Sequence, residues 1–165
     1  MTSVLEAELL VHLDAQITSA RRLLGLVLEQ GKAIRKRDVD AVLARLTEVQ
    51  TEMGRRGALE MERAGVLQRA GAALGIPATE VTLERLCLLV TPGAAEMARE
   101  RSAELRGLLA EIAREHGINR ALMRQELAFL SHLTRLIGRE AEPDYQSSGT
   151  TGAPQASHPV LDLQA

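Results

Sequence analysis

Apolar residues recur at alternating spacings of three and four between Val4 and about Lys36, as Leu10, Leu13, Ile17, Ala20, Leu24 and Val27. Such a stripe is the seam of a helix that packs on other helices in coiled-coil fashion. Asp38 and Asp40 follow a basic turn and can cap a second helix, whose apolar face begins at Val39, Val42, Leu43, Leu46, Val49 and Met53. Together they predict an antiparallel hairpin. Gly54 and Gly57 weaken the second helix, and its stripe resumes out of phase at Leu59, Leu67, Ala70 and Leu74, which predicts a bend or local flexibility. The helix is expected to stop near Gly75, because Pro77 lacks an amide hydrogen and restrains Ile76 to extended geometry. Thr79 or Thr82 can then cap the run VTLERLCLLV, a helix of about two to three turns, and Thr91 with Pro92 opens a last one. From Pro92 to near Arg139 that helix would span roughly 70 Å at about 1.5 Å per residue, so it must lie along the others to be covered.

Within the last helix Leu105, Leu109 and Ile112 begin a seam that meets polar residues at His116 and Asn119, with Gly117 a weak point between them. This predicts a structural half and a more mobile half from Asn119 onward. The segment NRALMRQELAFLSHLTRLI, Asn119 to Ile137, carries two stripes: Leu122, Phe129, Leu133 and Leu136, and beside them Met123, Leu127, Leu130 and Ile137. One stripe is expected to serve the fold and the other a partner. The competing expectation is that both are core, in which case Leu130→Asp unfolds the protein. The chain's only Phe and a Met lie here, and an unbranched, polarisable thioether suits a surface that adapts to another helix.

Beyond Glu140 the sequence AEPDYQSSGTTGAPQASHPVLDLQA is rich in Gly, Pro, Ser and Thr and loses its periodicity. The expected organisation is a helical domain over residues 1–140 and a disordered tail over 141–165. Composition agrees with an all-α fold of three long helices and one short one. One Tyr, one Phe and no Trp leave the packing to Leu and Ala, Leu, Ala, Glu and Arg are all good helix formers, and no stretch alternates long enough for a strand. Formal net charge is -2 with both signs interspersed, so no uniform field draws in nucleic acid or an anionic membrane. The densest basic cluster, Lys32, Arg35, Lys36 and Arg37, closes a helix, where cations favour the negative end of the dipole.

Other chemistry finds little support. No apolar run approaches the roughly 20 residues that span a bilayer, and the amino terminus carries acids where a signal peptide is basic, so a cytosolic location is expected. Cys87, the single cysteine, sits in the apolar run LCLLV and reads as a buried, inert thiol. His12, His116, His132 and His158 have no partners at metal-ligand spacing, and the glycines of SSGTTG lack the Lys of a phosphate loop. The nearest enzyme reading is a small helical enzyme of the chorismate mutase kind, with Arg21, Arg22 and Lys32 as its cations, which surface arginines explain equally well. A coiled-coil scaffold or signalling adaptor is the remaining alternative.

The order of elements and three local patterns resemble the FlgN family of flagellar export chaperones. These are the junction RKRDVDAVLARLTEVQ, the series Asn119, Leu122, Leu127, Phe129, Leu130 and Leu133 in the last helix, and Tyr145 with Gly149 shortly after it. The likeness covers roughly residues 4–150; the pair Gly54 and Gly57, Glu126 within the carrying helix, and the tail beyond Gly152 depart from it. It implies a non-enzymatic cytosolic chaperone that binds the C-terminal helical ends of hook-filament junction proteins, keeps them unassembled and presents them to the flagellar export machinery. No nucleotide, metal or other cofactor is implied. The expected partner-binding residues are Asn119, Leu122, Met123, Leu127, Phe129, Leu130, Leu133, Leu136, Ile137 and Tyr145, forming a helix-in-groove site. An apolar site of that kind invites self-association, which a homodimer, or the tail folded back through Val160, Leu161 and Leu163, would relieve.

Overall fold

A computed structural model describes residues 2–140, all of whose long elements are helices: α1 (Thr2–Lys36), α2 (Val39–Leu74), a short α3 (Leu83–Cys87) and α4 (Pro92–Glu140), with a 3-10 turn at Ala78–Glu80. Among the described residues there is no strand. Two compact units divide the chain, Met1–Ala128 and Phe129–Ala165.

The local chemistry accounts for each boundary in the first unit. At the α1–α2 junction Arg37 takes a left-handed φ of 55°, and Asp38 caps α2 by accepting from the Ala41 amide at 3.0 Å. Gly75 ends α2 with φ 69°, its own amide and that of Ile76 both returning to the Gly71 carbonyl. The left-handed glycine, rather than Pro77, therefore makes the stop. Gly71 must itself be small, since a Cβ there would lie 2.7 Å from the Ile76 carbonyl oxygen. Thr82, not Thr79, caps α3, which is shorter than the sequence suggested because i to i+3 bonds from Leu88 and Leu89 tighten its end. Pro92 is the first residue of α4, with the Thr91 side chain accepting from Ala94.

α1 is the centre of this unit. Cross-links from Arg69 to Glu8, Gln16 to Glu60 and Ser19 to Glu52 run in opposite senses along α1 and α2, so the pair is antiparallel. Arg101 with Asp14, Arg21 with Glu104, Asn119 with Val27 and Arg37 with Glu126 ascend together, so α4 runs parallel to α1. Because α1 is flanked on two sides, its buried seam is Leu9, Leu13, Gln16, Ala20, Leu23, Val27, Gln30 and Ile34. This seam alternates four and three without a break, and it includes two glutamines that the apolar stripe passes over. The main cluster gathers Leu9 and Leu13 of α1, Val66 and Ala70 of α2, Leu86 of α3 and Ala98 of α4.

In α2 the expected weak point does not interrupt the helix, and the expected apolar face is not the buried one. The helix runs without a break through Gly54 and Gly57, because Glu52 is tied to Ser19 before the pair and Glu60 to Gln16 after it; those ties hold a stretch where each Gly costs about 1 kcal/mol of propensity. Its first half also does not bury the predicted apolar face. Val39, Leu43, Leu46 and Met53 are exposed and Val42 and Val49 only half-buried, while the carboxylate of Glu52, 3% exposed, points at α1. Glu52 is tolerated there because Ser19 donates to it at 2.8 Å and Arg22 and Arg55 bring cations to its outer oxygen.

Candidate interaction surface

The residues singled out for partner binding fall into both units, and the structure gives them unlike settings. In the first unit, Asn119 is 2% exposed, and its Nδ2 donates 2.8 Å to the Val27 carbonyl of α1. It fastens α4 to α1 and is no surface group. Gly31 makes room for it, since a Cβ on Gly31 would stand 2.6 Å from the Asn119 Oδ1. Leu122, three residues on, is half-buried, whereas Met123 and Leu127 are exposed, Leu127 at 63%. Glu126 between them is half-buried and paired with Arg37. So the polar Glu126 sits on the face of α4 turned toward the α1 terminus, and Leu127 beside it does not.

In the second unit the described helical segment presents Phe129, Leu130, Leu133, Leu136 and Ile137 to solvent, Ile137 at 66%. The expectation that one of the two stripes would be core therefore does not hold from Phe129 onward. The segment is the only described element of its unit, and a single helix cannot cover its own flanks. Its polar side chains look after themselves: Thr134 donates to the Leu130 carbonyl at 2.9 Å and Arg135 to that of Ser131 at 3.4 Å. Both bonds are intrahelical and end on backbone carbonyls. Five large apolar side chains with spacings of one, three, three and one are more than a solvated helix ordinarily shows.

Over residues 1–153 the sequence matches the family model described as FlgN protein. The chain belongs to the FlgN family. This is a family of flagellar export chaperones rather than of enzymes. No curated protein and no solved structure matches the chain. In this FlgN-family chain no described helix is long and apolar enough to cross a membrane, and no group of three or more His, Cys, Asp or Glu among the described residues could hold a metal ion. Tyr145, the last of the expected binding residues, lies outside the described residues, as do Val160, Leu161 and Leu163.

Two features of the structure escaped the reading from sequence. The role of Asn119 was hidden because an Asn before a Leu-rich run looks the same whether its amide meets a partner or a neighbouring helix. The signal that distinguishes them is Gly31, a small residue on α1 with no turn to make. The second feature is the exposed row Val39, Leu43, Leu46 and Met53 on α2, whose spacing of four, three and seven is that of a core stripe. Cys87 is as expected, buried, its Sγ directed 3.8 Å to the Ala95 carbonyl, with burial pushing the thiol above its ordinary pKa. A thiol held in that form is a poor nucleophile.

Proposed function

We propose that the chain is a flagellar export chaperone whose clients are hook-filament junction proteins, bound through their C-terminal helical ends. Family membership supplies the class of activity, and the observation that carries the site is the exposed apolar run Phe129 to Ile137 at the end of α4. An amphipathic client helix would lay its apolar face on Leu130, Leu133 and Ile137, with Phe129 and Leu136 on the flank. Met123 and Leu127 extend the same residue spacing toward the amino terminus. Full burial of a Leu or Phe is worth about 1.5 to 3 kcal/mol, so even a few such anchors, discounted for ordering, support micromolar binding that is still reversible. Reversibility is what delivery to an export machine in the cytosol requires.

In this reading Asn119 positions α4 and does not touch the client. Before a client arrives, the same apolar residues would pair two copies of the chain, so client and self-association compete. The test is calorimetric titration with a peptide from the C-terminal end of a hook-filament junction protein, using the wild type and Leu130→Asp. The expected result is micromolar or tighter binding by the wild type and none by a variant of unchanged helicity. Binding that survives in Leu130→Asp would move the site elsewhere, and an unfolded variant would return Leu130 to the core.

A further inference from the structure

Between α1, α2, α3 and the first half of α4 lies a crevice of about 270 Å³, wholly within the first unit and remote in sequence from the α4 end. Leu9, Leu13, Val66, Leu83, Leu86 and Leu105 form its apolar part. Its polar part is His12 and Gln16 of α1 with Arg56, Glu60 and Arg63 of α2. Two of these present buried nitrogen atoms without a hydrogen-bond partner, His12 Nδ1 and Arg56 Nη1.

The hydrogen-bond roles of the two His12 ring nitrogens follow from its neighbours. The Gln16 amide nitrogen lies 3.4 Å from His12 Nε2 and 3.3 Å from Glu60 Oε1, and because an amide nitrogen only donates, Nε2 accepts. Nδ1 then carries the hydrogen. The nearest acid to it, Glu62, is 3.8 Å away, beyond hydrogen-bond reach, on a largely solvated side chain. Glu60, the one acid on the lining, is already held by Gln16 and by Arg63 at 3.2 Å. Arg56 has no carboxylate of its own among the described residues. Two residues of the lining thus each carry an unmet donor, one of them a cation, beside leucines of the same lining, and His12 is itself only 8% exposed.

Unmet buried donors are costly, and an acceptor that brings its own apolar body satisfies both halves of such a site. We propose that this crevice binds a medium-chain carboxylate, the carboxylate between His12 Nδ1 and Arg56 Nη1 and the hydrocarbon among Leu13, Val66, Leu86 and Leu105. A cavity of about 150 Å³ takes a benzene ring, so the space here suits roughly ten non-hydrogen atoms, the size of octanoate. The site shares no residue with the client surface of α4, and its occupancy would tighten α2 and α3 against α1.

Octanoate titrated into the full-length protein, by calorimetry and by following the His12 ring nitrogens in NMR, tests this. The expected result is saturable one-to-one binding that shifts the Nδ1 resonance, is lost with acetate, and is weakened at least about tenfold with octanol or in Arg56→Gln, the factor one charged hydrogen bond commands. Leu109→Trp, at an exposed position of the crevice lining, should block octanoate while leaving helicity intact, and it decides the matter if Arg56→Gln does not fold. Leu130→Asp should bind octanoate as the wild type does, so failure of the client site and failure of this one are told apart. The absence of saturable binding would leave the donors to water and overturn the proposal, as would binding of equal strength in Arg56→Gln or Leu109→Trp.

Discussion

The side-chain amide of Asn119 occupies the space that Gly31 leaves open on α1, donating to the Val27 carbonyl one turn earlier with its oxygen directed at the glycine. A helix interior Gly costs about 1 kcal/mol relative to Ala, so on propensity alone Gly31→Ala would stabilise. Here the opposite is expected, because a methyl 2.6 Å from Oδ1 must displace the amide. Asn119→Ala should cost about 1 to 3 kcal/mol through the lost bond and the space left behind. The two changes together should cost less than their sum, since the first already empties the site that the second disturbs. Urea denaturation of the two single variants and the double variant checks this; strict additivity would separate the residues.

Ser19 and Glu52 make a second prediction with an unusual sign. Removing the serine hydroxyl in Ser19→Ala leaves a buried carboxylate short of one donor and should cost about 1 to 3 kcal/mol. Replacing the carboxylate itself, in Glu52→Met, leaves Arg22 and Arg55, whose side chains are more than half exposed and return to water, and the Ser19 hydroxyl, a rotor that can turn to a carbonyl of its own helix. That variant should fall within about 1 kcal/mol of the wild type or exceed it, because an apolar group of similar volume avoids the desolvation of the charge. Thermal melts that rank Glu52→Met below Ser19→Ala would refute the account.

This polar layer also explains what the sequence could and could not convey. The order of helices, the Asp38 and Thr82 caps, the opening at Pro92 and the reach of α4 are local chemistry, written in residues adjacent to the boundary they set. Which face of α2 turns inward is not local. Val39, Leu43, Leu46 and Met53 look like a seam, yet Ser19, Arg22 and Arg55 stabilise an inward Glu52, and of those partners only Arg55 is on α2 itself, Ser19 lying 33 residues back and Arg22 also on α1. The same holds for Asn119, whose partner lies 92 residues back. Polar residues in a seam are readable only once their satisfying groups are in place.

Glu84 of α3 and Arg99 of α4 give a pH dependence whose direction is set. The Arg99 guanidinium forms a two-pronged contact with the Glu84 carboxylate, its Nη2 at 2.9 Å and Nε at 3.3 Å, and holds that carboxyl below the usual carboxylate range. A depressed carboxylate contributes stability that is present above its unfolded value and is lost as pH falls through its lower folded value. Acidification below the ordinary carboxylate range should therefore weaken this tie between α3 and α4, by the small amount that a solvated ion pair contributes, while Leu86 stays packed near Ala98. Titration of the Glu84 side-chain carbon resonance should show the low midpoint in the wild type and its return to the ordinary range in Arg99→Gln; an unchanged midpoint would remove Arg99 as the cause.

The two halves of α2 should respond oppositely to one substitution. Leu46 belongs to the exposed row of the first half, whereas Val66, in the second, is 5% exposed and packs with Leu9, Leu13 and Leu86. Putting a hydroxyl at position 66, in Val66→Ser, removes buried methyl groups and introduces an unsatisfied polar atom, which together cost about 2 to 4 kcal/mol. Leu46→Ser removes a larger side chain from a surface position and should change stability by no more than about 0.5 kcal/mol. If Leu46→Ser proves as damaging as Val66→Ser in equilibrium denaturation, then the Val39 to Met53 row is buried in solution, and its cover has to be a second molecule or the part of the chain beyond residue 140.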